Sequence, residues 1–139
     1  MIPMEKDLIL VAFDGSNESE KALEHAIEVA NPNDEILILM VLPEPDADPF
    51  FSSSIEDQFI KAESELESLK KKYQGENVHL TTIVKQGNII EEILKHAEDP
   101  RCKLLVLGYK GVTPIGRFKL GSISGEVAKR AKVPVLVVR

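Results

Sequence analysis

The sequence predicts an α/β protein in three layers, with a doubly wound and mostly parallel sheet. Continuous apolar runs such as LILVAF (residues 8–13) and EILILMVL (residues 35–42) are typical of strands buried on both faces. Amphipathic segments of helical period separate these runs, so strands and helices alternate along the chain. The length of 139 residues is that of one ordinary domain, and we expect residues 1–139 to form it.

The remaining elements follow in chain order from local patterns. Asn17 and Glu20 have the spacing of a capping box at the start of a helix over residues 17–30. Apolar residues at intervals of three and four predict a long helix over residues 55–73, and Asn88 with Glu91 predicts a second cap. The other predicted elements are a less apolar edge strand over 78–84, a helix from about residue 89, a strand over 103–107 that ends at Gly108, a helix over 122–131 and a last strand over 133–138.

Charge is unevenly distributed along the chain. The formal net charge of −6 argues against broad binding to nucleic acid, whose phosphates require a basic face. From Pro100 to Gly125, however, there is no acidic residue, and we expect this segment to form one positive region that suits a small anion. Its cationic residues are Arg101, Lys103, Lys110, Arg117 and Lys119.

Several classes of protein are disfavoured by composition. No apolar run approaches the roughly 18 residues of a membrane span, and the opening MIPMEKD does not resemble a secretory signal, so we expect a cytoplasmic protein without membrane contact. Cys102 is the sole cysteine and is interpreted as a structural thiol. His25, His79 and His96 are too scattered for a metal site, and none is expected.

The segment GYKGVTPIGRFKLGS, residues 108–122, has the composition of a phosphate cradle. Glycines allow positive φ and a close approach of the backbone to a ligand, and successive N–H groups together with a helix N-terminus bind anions. Serine hydroxyls at the start of the following helix can donate to phosphate oxygens. The residues expected to contribute in this way are Gly108, Gly111, Gly121, Ser122 and Ser124. A plainer alternative is that the glycines only shape a loop and Ser122 only caps a helix.

Two common phosphate motifs do not fit this segment. GVTPIGRF has the glycine spacing of a P-loop, but Arg117 and Phe118 stand where that motif needs its lysine and its Mg²⁺-binding hydroxyl. A Rossmann GxGxxG is absent, and the glycines follow the fourth strand instead of the first.

The glycine spacing resembles that of a different family. Gly108-x-x-Gly111, nine residues and then Gly121-Ser122 match the G-x2-G-x9-G-[S/T] signature of the universal stress protein domain. The resemblance extends to LILVAFDGSNESEKALEHAIEVA, to QGNIIEEILKHAED, and to the stretch from KLLVLGYKG to VPVLVVR. Tyr109 departs from the family, in which small or basic residues are frequent at that position, whereas Lys110 keeps the charge.

This resemblance implies a sheet of order 3-2-1-4-5, as in adenine nucleotide alpha hydrolase-like folds, and binding of ATP or a related adenine nucleotide, with Mg²⁺. Family members without the glycine signature do not show this binding. The positions that line the adenosine pocket correspond to Ala12, Asp14 and Val41, and those that hold the phosphates correspond to Gly108, Gly111, Gly121, Ser122 and Ile123. Asp14 is expected near the ribose or a phosphate-bound cation, although Asp-Gly is also a common turn pair.

Three functions remain open at this stage. The favoured one is a homodimeric, ATP-binding regulatory protein of the stress response that pairs through its last strand, residues 133–138, as the family does. The alternatives are a slow ATP hydrolase and a dimeric adaptor without ligand. The motifs His-x-Gly-His and Ser-Gly-Gly-x-Asp-Ser of related enzymes are absent, and no catalytic residue is predicted.

Overall fold

The computed structural model describes residues 6–44, 54–75, 77–109 and 122–139. Five strands and four helices alternate along these ranges, as expected. They are β1 (Leu8–Ala12), α1 (Asn17–Val29), β2 (Glu35–Leu42), α2 (Ile55–Tyr73), β3 (His79–Gln86), α3 (Ile89–Ala97), β4 (Cys102–Gly108), α4 (Ser122–Arg130) and β5 (Val135–Val138). Within the described residues, no helix is both long and apolar enough to cross a membrane.

The strands form one parallel sheet of order β3-β2-β1-β4-β5. This confirms the predicted fold class and strand order, and it confirms the expectation that β3 lies at an edge. The order reverses at β1, which pairs with β2 on one side and with β4 on the other. The carboxyl ends of β1 and β4 are therefore the point at which a doubly wound sheet opens a crevice.

Each face of the sheet packs against its own pair of helices. The core on one face joins the apolar sides of α1 and α2 to the strands, and includes Leu23 and Leu66. The core on the other face joins α3 and α4 to the strands, and includes Ile93 and Val127. Strand residues alternate between the two cores, as in Ile9 and Leu10, because successive side chains point to opposite faces. These two cores define the three layers.

The helix caps agree only in part with the sequence patterns. Asn88 caps α3, and its side chain accepts a hydrogen bond from the Glu91 N–H, as expected. The assignment of Asn17 as the cap of α1 is wrong, because Asn17 is already helical and Ser16 accepts the hydrogen bond from the Ser19 N–H. Serine and asparagine are comparable caps, so the spacing to Glu20 selected the wrong neighbour.

Cys102 begins β4 and is buried, at 8% exposure. Burial raises the pKa of its thiol, which disfavours the reactive thiolate. This agrees with the interpretation of Cys102 as a structural residue.

Candidate functional site

A crevice opens at the carboxyl ends of β1, β2 and β4, next to the reversal of strand order. It contains about 530 Å³ of space between protein atoms, part of which is open solvent. Most of its walls are apolar, and the two polar side chains are Asp14 from the β1–α1 connection and Ser19 from the first turn of α1. The lining residues are Ala12, Phe13, Asp14, Ser19, Leu39, Val41, Ile89, Ile93, Leu107, Gly108 and Ile123.

The structure brings five of the nine residues predicted for the site into this crevice. They are Ala12, Asp14, Val41, Gly108 and Ile123. Gly111 and Gly121 lie outside the described residues. Ser122 begins α4, and its side chain also lies outside what is described. Ser124 is described but does not line the crevice. The ligand roles of all nine residues stay predictions.

Asp14 forms the turn after β1, and it also lines the crevice. Its Oδ1 accepts hydrogen bonds from the Ser16 N–H at 3.0 Å and from the Ser16 hydroxyl at 2.6 Å, while Gly15 between them has φ of 88°. These contacts form the turn into α1. The same side chain also lines the crevice, so turn formation places the carboxylate at the ligand-accessible surface.

Ser19 continues this hydrogen-bonded turn into the crevice wall. It is 2% exposed, and its hydroxyl donates to the Ser16 carbonyl at 2.9 Å and accepts from the Asp14 N–H at 3.3 Å. The polar side of the crevice is therefore held in place by contacts within the turn itself.

Gly108 is a glycine for a reason that the sequence did not indicate. Within the described residues, positive φ occurs at Gly15 and Gly87, so Gly108 does not use the positive φ that a glycine allows. A Cβ added at Gly108 would lie 2.9 Å from the carbonyl carbon and the Cβ of Glu18, and 3.0 Å from the Ser19 nitrogen. The absent side chain thus lets the N-terminal turn of α1 pack directly on the end of β4.

Ser124 has a contact within the protein instead of a place on the crevice wall. It is 5% exposed, and its hydroxyl lies 3.4 Å from the Tyr109 carbonyl oxygen, to which it donates a hydrogen bond. This bond connects the first turn of α4 to the residue that follows β4.

Several residues that line the crevice were not predicted from the sequence. Ile89 and Ile93 come from one face of α3, four residues apart, and form a wall opposite the strands. Leu39 lies two residues before Val41 on β2 and therefore points to the same face. A usable signal was present, since the Asn88 cap places the first turn of α3 at the carboxyl end of β3.

The basic segment divides between the two ends of β4. Arg101 and Lys103 lie at its beginning, roughly 20 Å from Gly108 at about 3.3 Å per residue. Arg101 pairs there with Asp99 at 3.1 Å and with Glu35 at 3.2 Å, and Lys103 pairs with Asp34 at 2.7 Å. The expectation that these two cations belong to the anion-binding region is therefore wrong, whereas Lys110, Arg117 and Lys119 lie outside the described residues.

The helix N-termini around the crevice differ in charge. The first turns of α1, α2 and α3 each contain two acidic residues, which offset the positive end of the helix dipole. The first turn of α4 contains none, and Ile123 in that turn lines the crevice. The start of α4 is thus the helix terminus at the crevice that best accommodates an anion.

These features define a doubly wound α/β protein with an apolar crevice at its topological switch point and an uncompensated helix N-terminus beside it. Comparison with known proteins identifies its family. The chain belongs to the universal stress protein family, whose model matches residues 7–139.

Individual relatives agree with this assignment. Universal stress protein YxiE of Bacillus subtilis is 32% identical over 148 aligned positions, which cover 94% of this chain and 97% of the relative. The structure of the universal stress protein UspA from Lactobacillus plantarum superposes with a TM-score of 0.78 at 21% identity, covering 99% of this chain and 100% of that one. The structure of MJ0577 from Methanocaldococcus jannaschii gives a TM-score of 0.76 at 28% identity, covering 95% and 94%.

Two further structures share the fold and were determined with a nucleotide. A universal stress protein in complex with cAMP has a TM-score of 0.66 at 23% identity, covering 96% of this chain and 97% of that chain. A family member from Arabidopsis thaliana with AMP bound has a TM-score of 0.66 at 22% identity, covering 95% and 90%.

Proposed function

We propose that this protein binds an adenine nucleotide, with ATP as its principal ligand, in the crevice between β1 and β4. The observation that carries the proposal is the convergence of Ala12, Asp14, Val41, Gly108 and Ile123 on one crevice. These residues come from β1, β2, β4, α4 and the β1–α1 connection, and the family resemblance of the sequence predicts all five for one site. The two family structures that hold cAMP and AMP support the choice of adenine.

The crevice offers a different environment to each part of a nucleotide. A flat, largely apolar base is suited to the space between Val41 on β2 and Ile89 on α3, where burial of apolar surface would drive binding. The carboxylate of Asp14 lies at the polar side of the crevice, where it can accept hydrogen bonds from ribose hydroxyls.

The phosphates would leave the crevice toward the start of α4. This direction is supported by the first turn of that helix, which has no acidic residue. The signature positions Gly111, Gly121 and Ser122 precede or begin the same helix, and their backbone groups are the proposed phosphate ligands. Mg²⁺ would be held chiefly by the phosphates, because Asp14 is the one carboxylate among the described residues of the crevice.

We infer a regulatory role in preference to catalysis. Among the described residues that line the crevice, Asp14 is the one titratable side chain, and its Oδ1 already accepts two hydrogen bonds from Ser16. Hydrolysis would need a group placed to orient or activate water. Nucleotide occupancy would instead be communicated through a homodimer paired along residues 133–138. The cytoplasmic location expected from the sequence stays a prediction.

Titration calorimetry with MgATP, on protein freed of copurified ligand, tests this proposal. Val41→Phe should lower the affinity at least about tenfold, because its ring would occupy the base pocket. Leu42→Phe is the matched control, since the next residue of β2 points to the opposite face of the sheet and should leave binding unchanged.

The outcomes separate the rival functions. If a folded protein gives no heat of binding at high micromolar MgATP, the proposal is refuted and a ligand-free adaptor is favoured. Equal losses in the two phenylalanine variants would place the ligand elsewhere than in this crevice.

A further inference from the structure

Arg139 and Tyr109 form a contact next to the crevice that the site described above does not include. The guanidinium of Arg139 lies over the Tyr109 ring, 4.8 Å from its centroid. Tyr109 directly follows Gly108, which lines the crevice. Within the part of the chain that the structure describes, Arg101 and Arg130 pair with carboxylates, whereas no carboxylate lies within ion-pair distance of Arg139. Arg139 therefore keeps its charge available at the crevice end of the sheet.

Tyr109 is held in place from both sides of its backbone. Its N–H donates to the Val138 carbonyl at 2.7 Å, which extends the β4–β5 pairing by one residue. Its carbonyl accepts a hydrogen bond from the Ser124 hydroxyl in the first turn of α4. The backbone from which the ring projects is consequently fixed between β4, β5 and α4. Stacking on the Tyr109 ring restricts the position of the Arg139 guanidinium, and a guanidinium is well suited to such stacking.

The strand order places Arg139 in line with the proposed nucleotide. Val41 on β2, Asp14 after β1 and Gly108 on β4 occupy successive strands at the carboxyl edge of the sheet. Neighbouring strands are about 4.8 Å apart, so a ligand that begins at Val41 passes over β1 and β4. The next strand is β5, and Arg139 directly follows it. A monophosphate would end near β4, whereas a triphosphate has two more phosphates to place toward β5.

We propose that Arg139 binds the outer phosphates of a nucleoside di- or triphosphate, and that Tyr109 is the residue that positions it. This inference rests on the proposed nucleotide binding and adds a preference to it. The guanidinium donates charge-assisted hydrogen bonds to phosphate oxygens. The pair thereby selects ATP over AMP, and adenosine binding is independent of it.

Calorimetric titration of Arg139→Gln with ATP and with AMP tests the pair. The variant should bind ATP about tenfold more weakly, as expected for loss of a hydrogen bond between charged groups. Its AMP affinity should change by less than about twofold, because exposed charges at a distance are screened by salt. Arg130→Gln is the matched control: it removes the same charge from the far end of α4, where Arg130 pairs with Glu91 at 2.9 Å, and both affinities should be retained.

Two substitutions at Tyr109 test its positioning role. Tyr109→Leu removes the ring under the guanidinium and should reproduce the selective loss of ATP affinity. Tyr109→Phe keeps the ring and should bind ATP as tightly as the wild type does. A general packing defect would weaken ATP and AMP alike and would overturn the assignment of Tyr109.

The outcome also distinguishes this inference from the proposed function. If the wild type binds ATP and Arg139→Gln binds it equally well, the inference is wrong and the proposed function stands. If the wild type binds neither ATP nor AMP, both fail together.

Discussion

Gly108→Ala should destabilise the protein even without any ligand. The added Cβ would lie 2.9 Å from backbone and side-chain atoms of Glu18 and 3.0 Å from the Ser19 nitrogen. Two of these contacts involve helix backbone, which cannot rotate away as a flexible side chain can. Either α1 or the end of β4 must therefore shift.

The expected size of the effect follows from two opposing contributions. Overpacking of this kind costs about 1–3 kcal/mol. Replacing glycine restricts the unfolded chain and returns about 0.4–1 kcal/mol where the backbone is compatible, as it is at Gly108, which is not in the positive-φ region. We expect a net loss of about 1–2 kcal/mol, or roughly 3–8 °C in Tm for a chain of this size.

Thermal and urea denaturation of the ligand-free protein measure this loss, and Gly125→Ala supplies the control. Gly125 lies in α4 with nothing within 4 Å of an added Cβ, so alanine should stabilise the protein there by about 0.5–1 kcal/mol through helix propensity. Opposite signs at the two positions are the expected result. A Gly108→Ala protein that melts at or above the wild-type temperature would refute the close packing of α1 on β4.

The remaining predictions concern the beginning of β4 and the edge strand β5. Lys103→Met should cost about 1–3 kcal/mol by leaving the Asp34 carboxylate, 4% exposed, without its ammonium partner. The hydrogen bond to Asp34 raises the pKa of Lys103 above its ordinary 10.5, so this stabilisation is present below that pH and is lost as the pH rises through the folded-state pKa; urea titrations of variant and wild type should converge there. At the β5 edge, the hydrogen bonds that Pro134 and Val138 accept from β4 imply that the Val137 N–H points outward. Val137→Pro should therefore dissociate a dimer in sedimentation velocity while the monomer stays folded, and an unchanged dimer would exclude pairing through β5.

The helices and strands were largely predictable because their patterns are local. The apolar stripe of α2 identified both of its ends, Ile55 and Tyr73, since nineteen residues contain enough turns to define one face. Strand order is different. Alternating elements predict a parallel sheet but do not encode which strands are neighbours, and the order 3-2-1-4-5 came from the family resemblance alone.

The candidate site was only partly predictable, for a reason visible in β4. Arg101 and Lys103 are near Gly108 in sequence, but they lie at the beginning of β4, whereas the crevice lies at its carboxyl end. The number of charges along the chain does not reflect that the two ends of an extended strand are far apart in space. The α3 wall was missed for the converse reason, because Ile89 approaches Val41 only through the tertiary fold.

The first glycine of the G-x2-G-x9-G-[S/T] signature is therefore weaker evidence for a ligand than the spacing suggests. Gly108 is required by the packing of α1 on β4, whether or not a nucleotide is bound. A glycine retained for packing would keep part of the signature intact after the ligand had been lost. The specific evidence for an anion consequently lies elsewhere: in the first turn of α4, which has no acidic residue, and in the Arg139 guanidinium stacked on Tyr109. If the proposed nucleotide binds, its phosphates would contact both features, and the titrations of Arg139→Gln with ATP and AMP test this directly.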